Sequence, residues 1–184
     1  TPTVTVSQKT NVTAPVELAK DVEIGGTKAI TFGGATGTAG KNITVTGDVI
    51  FNGITVSSPV INNNSVSCTG NVTFADTYAT ATGKTGTFNA SAGTVTFNAN
   101  VDFSRNTFVS NNGTIVLDPS PSGTTITLGG SNTYNTVQIK GNVDIKDKNT
   151  FATLTASGLE NKTITFPATV AKVQNVTKKL ILTG

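Results

Sequence analysis

Apolar residues alternate with polar ones in short runs along most of the chain, and the runs come in pairs joined by a tight turn. The clearest pair is Val137-Gln-Ile-Lys-Gly-Asn-Val-Asp-Ile145, apolar at every second position on each side of Gly-Asn. The same pattern returns as Ile43-Thr-Val-Thr-Gly-Asp-Val-Ile-Phe51, Val66-Ser-Cys-Thr-Gly-Asn-Val-Thr-Phe74 and Val95-Thr-Phe-Asn-Ala-Asn-Val-Asp-Phe103. A period of two turns Val95 and Phe97 to one face and Thr96 to the other, so each unit reads as two half-buried strands.

Taking Val22, Ile43, Val66, Val95, Ile115, Val137 and Ile164 as unit starts gives a repeat of about 20 to 29 residues, the range of solenoids. One coil cannot bury its apolar row alone, so the coils must stack. Aligning the units places Val45, Cys68, Phe97, Leu117 and Ile139 at one inward position, and Asp48, Asn71, Asn100 and Asn142 at one turn position. There the side chains would form a hydrogen-bonded corner ladder, because Asn accepts the left-handed backbone of such corners. Two stretches break the repeat. One is the Thr/Ala/Gly-rich run from Ala75 to Ser91, and the other is Asp118-Pro-Ser-Pro-Ser-Gly123. Both read as protruding loops suited to contact with a partner. Residues 1–21 read as cap or entry strands, and Leu180-Ile-Leu-Thr-Gly184 as the front half of another coil, which would leave an apolar edge open.

Composition narrows the class further. Only 12% of the 184 residues are charged and 36% are hydrophobic, with no periodic helical runs, so all-β is expected. There is one Cys and no His, Met or Trp, which excludes an internal disulfide, the common His/Cys metal sites and His-dependent nucleophilic catalysis. Absence of Met implies a mature or trimmed segment. No apolar run nears the roughly 18 residues of a membrane helix, so membrane insertion is not expected. Net charge is only +3, and seven Lys follow from Lys140 onward against Asp144, Asp147 and Glu160. A lysine fringe of that kind discourages edge pairing, and without a motif it points to no nucleic-acid partner.

The repeated Val-x-Phe/Ile-x-Gly-Asn-Val-x-Phe/Ile unit, the Asn-Thr-Phe and Ser-Asn-Thr-Tyr links and the Gly-Thr-Val-Thr-Phe opening resemble bacterial right-handed parallel β-helices of the filamentous-haemagglutinin and autotransporter-passenger type. The resemblance spans most of residues 22–184. It implies a secreted or surface-displayed stalk, often adhesive, and carries over no binding residue, since such repeats have no fixed site motif.

Individual residues add little chemistry. Cys68 falls at an inward position and reads as an inert buried thiol. Thr82-Gly-Lys-Thr85 is only the tail of a phosphate loop. Asp102 and Asp144 occupy the same outward unit position about two coils, or roughly 10 Å, apart, a spacing that suits solvated acids better than a carboxylate-based polysaccharide lyase or hydrolase. Thr-x-Thr pairs at Thr3/Thr5, Thr44/Thr46, Thr94/Thr96, Thr125/Thr127 and Thr163/Thr165 would suit an ice-binding array, but Val116, Asp118, Gln138 and Lys140 interrupt it. Tyr78 and Tyr134 lie in links between repeated strands, as loop packing or glycan stacking. This composition gives several Asn-x-Ser/Thr sequons by chance, so the eight present carry little information.

The expected fold is therefore a single all-β domain over residues 1–184, a right-handed parallel β-helix of about seven coils, with a β-sandwich subunit of an extracellular filament as the alternative. The expected role is a non-catalytic structural or adhesive segment, extracellular and without cofactors. Its expected partners are a host or matrix surface or glycan, and further copies joined end to end.

Overall fold

The computed structural model describes residues 65–184 without a break except at 81 and 159. Before them it describes strand segments at 3–6, 10–12, 16–18, 22–26, 30–32, 43–45, 49–53, 55–56 and 60–61, with side chains only at 50, 51, 53, 55 and 56. Alternation in sequence becomes alternation in burial. In Thr94–Phe97 the inward Val95 and Phe97 are buried and the threonines are half-buried; Val72–Phe74 and Asn142–Ile145 repeat the pattern.

Every described strand pairing is parallel. That excludes the sandwich, whose sheets are antiparallel. Three sheets run along the axis. The first carries Val66–Thr69, Gly86–Asn89 and Asn106–Val109; the second Val72–Phe74, Thr94–Phe97, Thr114–Leu117, Thr133–Ile139, Thr150–Ala156 and Asn175–Leu182. The third carries Tyr78–Thr80, Val101–Asp102, Thr125–Gly129, Asn142–Ile145 and Ile164–Thr165. The molecule is an all-β parallel solenoid whose one described helical segment is the short 3-10 turn Val170–Lys172. About five turns lie within residues 65–184, set against about seven expected over all 184, and Thr3–Val6, Val22–Gly26 and Val49–Asn52 extend the first sheet ahead of them.

Inward residues stack in columns. Phe74 and Phe97 lie parallel with centroids 5.1 Å apart, and the column continues through Leu117, Ile139 and Ala156. A second aromatic column runs Phe88, Phe108, Tyr134, Phe151, with centroids 5.9, 4.7 and 5.5 Å apart. Its lower half marks a change of cross-section. The first sheet ends at Asn106–Val109, and the seven-residue strands Thr133–Ile139 and Thr150–Ala156 continue its column as well as that of the second sheet.

The unit alignment needs one correction. Phe97, Leu117 and Ile139 do share a column, but Cys68, though buried at 4% exposure, belongs to the first sheet and stacks on Phe51. Val45 ends a strand paired with Val16–Leu18, and its side chain lies outside the described residues. The repeated motif marks a corner, not a coil. Residues 66–74 turn from the first sheet to the second, whereas 95–103 and 137–145 turn from the second to the third. All corners need the same tight turn between alternating strands, so the same letters appear at each. True coil lengths also vary: Val137, Leu154 and Leu180 are successive partners, 17 and 26 residues apart.

The Ala75–Ser91 run is not a protruding loop. It contains the strands Tyr78–Thr80 and Gly86–Asn89, and Tyr78 and Phe88 are fully buried. Tyr78 and Tyr134 lie within strands facing the core, which closes both to glycan stacking. Asp118–Gly123 does loop out, with Ser120, Pro121, Ser122 and Gly123 exposed.

Candidate functional site

Polar side chains at the corners are spent mainly on joining one coil to the next. Asn71, Asn100 and Asn142 each accept, through Oδ1, the backbone N–H directly above them in the following coil: Thr94 at 3.0 Å, Thr127 at 2.8 Å and Thr163 at 2.8 Å. Asn142 Nδ2 also donates to Gly123 O at 3.1 Å. The three residues are not one ladder. Asn71 sits between the first and second sheets, and Asn100 and Asn142 precede and begin third-sheet strands at positions two residues apart in register. Asp48 lies outside the described residues. Each amide substitutes for a backbone carbonyl where the ladder breaks at a corner.

A side-chain ladder does exist at another corner, where the third sheet leads back to the next coil. Asn132 N–H donates to Asn149 Oδ1 at 2.9 Å, and Asn149 N–H donates to Gln174 Oε1 at 3.2 Å. Asn149 is only 1% exposed. Beside it Asp147 accepts from Gly130 N–H at 2.9 Å and from Lys172 Nζ at 3.0 Å. The Gly130 N–H first, and Lys172 next, hold the Asp147 carboxyl below its ordinary value. The signal in sequence was the Asn-Thr-Tyr and Asn-Thr-Phe links at 132–134 and 149–151, in which Asn takes the corner and the ring enters the aromatic column.

The acids do not converge. Asp102 pairs in register with Gly129 and Asp144 with Thr127, so they occupy different columns rather than the shared outward position expected. Asp144 is ion-paired to Lys146, and Asp102 Oδ1 accepts Ser104 N–H. No cluster of three or more His, Cys, Asp or Glu side chains occurs among the described residues. Burial pushes the Cys68 thiol well above its ordinary pKa, which leaves it a protonated, unreactive group. Thr82 and Gly83 form a turn that leads into a strand, not a helix.

Threonines line two outer surfaces. On the second sheet Thr94, Thr114, Thr136 and Thr153 form an unbroken column over four coils. The neighbouring column reads Thr73, Thr96, Val116, Gln138, Thr155, so no regular two-column lattice forms. The other surface is concave. A groove of about 450 Å³ is lined by Asn106, Thr107, Phe108, Ser131, Asn132, Thr133, Lys148 and Thr150. It shares Asn106 and Thr107 with a second of about 440 Å³ that adds Thr85, Gly86, Thr87, Ser104 and Arg105. The combined trough follows the outside of the corner where the first sheet ends. Its lining is hydroxyl, amide and cation around the half-buried ring of Phe108, without a carboxylate. Neither Arg105 nor Lys148 makes an ion pair among the described residues, whereas Lys140, Lys146 and Lys172 do.

Fold and surface together define a parallel β-solenoid with a polar exterior trough. No protein-family model matches the chain, and neither does any curated protein or solved structure.

Proposed function

We propose that the chain is a non-catalytic structural and adhesive segment of a secreted or surface-displayed bacterial protein. The observation that carries this reading is how the buried polar groups are used. Among the described residues Thr80, Ser91 and Asn149 are buried, and each makes a bond to another coil: Thr80 Oγ1 to Asn106 Oδ1, Ser91 Oγ to Gly70 O, and Asn149 as above. Such bonds hold one stacked coil to the next, which is the work of a structural element. An outer surface low in charge and rich in threonine suits an exposed stalk. Incubation with polygalacturonate and dextran, followed by size-exclusion chromatography, should leave both polymers at full length; shortening of either would overturn the non-catalytic reading. Beads coated with the chain should be retained on glycan- or matrix-coated surfaces, and failure on every surface would remove the adhesive half.

Copies of the chain join end to end in this reading. Phe166, Val170, Val173, Leu180 and Leu182 are 39%, 93%, 58%, 53% and 53% exposed, and all lie in the last turn. Leu180 and Leu182 stack on Leu154 and Ala156 of the core columns, so their open side is the seat of one further coil. Sedimentation velocity should show association that grows with concentration and is lost in a Leu180→Glu/Leu182→Glu variant; association unchanged in that variant would refute the end-to-end contact.

A further inference from the structure

We infer that the trough beside the end of the first sheet is a binding site for a linear polysaccharide bearing carboxylates. This rests on the adhesive reading above and names its ligand class and place. The trough is repetitive. Thr87 and Thr107 are register partners, as are Thr133 and Thr150, and all four line the trough. Phe108 and Tyr134, their centroids 4.7 Å apart, show that the coils stay stacked at the step although no ladder joins Asn106–Val109 to Thr133–Ile139. Hydroxyls therefore recur along the axis at about one strand spacing, roughly 4.8 Å, over four coils.

Arg105 lines one of the two adjoining grooves and Lys148 the other, two coils apart, about 10 Å along the axis by the strand spacing. Both are exposed and without an ion pair among the described residues. No carboxylate lines the trough to neutralise them. A chain of sugars offers what this surface lacks: hydroxyls that donate to and accept from threonine and serine, and anionic groups at intervals for the two cations. The other linear polyanions fit less well. Nucleic acid draws its affinity from many phosphate contacts and from base stacking, whereas the trough offers two cations and one half-buried ring, Phe108. An acidic peptide would need a free strand edge, and the tight Phe108–Tyr134 contact leaves no room for a strand between the coils.

The test measures binding of the whole chain, by calorimetry in low salt without divalent ions, to polygalacturonate oligomers, dextran and single-stranded DNA. Polygalacturonate should bind and dextran should bind much more weakly. An Arg105→Gln/Lys148→Gln variant should lose about tenfold in affinity, the scale of two charge-assisted bonds at a solvated surface. Lys162→Gln/Lys179→Gln, which removes the same charge away from the trough, should bind as the parent does. Thr107→Val/Thr133→Val, which keeps side-chain shape, should also weaken polygalacturonate. Circular dichroism of each variant establishes that it is folded. The proposal is overturned if polygalacturonate does not bind, if both double charge variants lose affinity equally, or if DNA binds tighter than polygalacturonate. Bead retention separates the two levels. Retention unchanged in the Arg105/Lys148 variant sinks the trough while the adhesive reading stands; loss of retention by the parent chain sinks the adhesive reading itself.

Discussion

Replacing Asn149 by Ala is the most informative change to the corner ladder. Its amide is buried and makes two bonds, accepting Asn132 N–H at 2.9 Å and donating to Asp147 O at 2.9 Å. Asp147 O keeps Gln174 Nε2 at 2.7 Å, so the main loss is an acceptor for Asn132 N–H, in a half-buried corner that water reaches poorly. A net bond is worth about 1 kcal/mol and a stranded buried donor costs about 1–3 kcal/mol, so the variant should lose roughly 2–4 kcal/mol. Asn71→Ala is the reference. Asn71 is exposed and its amide makes one bond, accepting Thr94 N–H, for which water can substitute. That change should cost about 0.5–1 kcal/mol. Urea unfolding followed by far-ultraviolet circular dichroism reads both, provided the slope m is shared, since stacked coils can lose cooperativity when one is weakened. Equal shifts in the two variants would refute the claim that burial at this corner is what makes its ladder matter.

Three further outcomes are expected. Gly113→Ala should unfold the molecule or severely destabilise it in thermal melts, because a Cβ there would stand 1.9 Å from Ser91 O of the coil beneath; a near-normal melting temperature would show that the corners can part. Asp147 has a folded pKa below its ordinary value, so its contribution is present above the unfolded carboxylate range and lost as pH falls through the folded value. Asp147→Asn should thus lower the urea midpoint at neutral pH and converge with the parent in strong acid, and a gap independent of pH would refute this. Cys68 should react with a thiol reagent only after unfolding, and rapid reaction in native buffer would mean that the first sheet opens.

Strand positions and the solenoid class were legible in the sequence because period-two alternation survives folding directly, as at Val95–Phe97 and Val137–Ile139. Coil phase was not, because Gly-Asn and Ala-Asn corners obey the same turn chemistry wherever they fall. Cys68 was therefore aligned with Phe97 although it faces the core from a different sheet. Tyr78 and Phe88 were hidden for a related reason: Thr, Ala and Gly around them have small side chains that the outer face tolerates, so a core coil read as an excursion. The trough was the least legible feature. It arises where the first sheet ends and two strands lengthen, so Arg105 and Lys148, 43 positions apart in the chain, come to adjoining grooves only through the stacking of the coils.

The register itself is the centre of this account, and methyl nuclear Overhauser spectroscopy on the 18.8 kDa chain tests it most directly. Stacked partners should give strong cross-peaks along Ile115, Val137, Leu154 and Leu180, and along Leu117, Ile139 and Ala156, each joining one coil to the next. Cross-peaks that instead follow an antiparallel order, or that skip a coil, would contradict the parallel stack on which the corner ladder and the trough both depend.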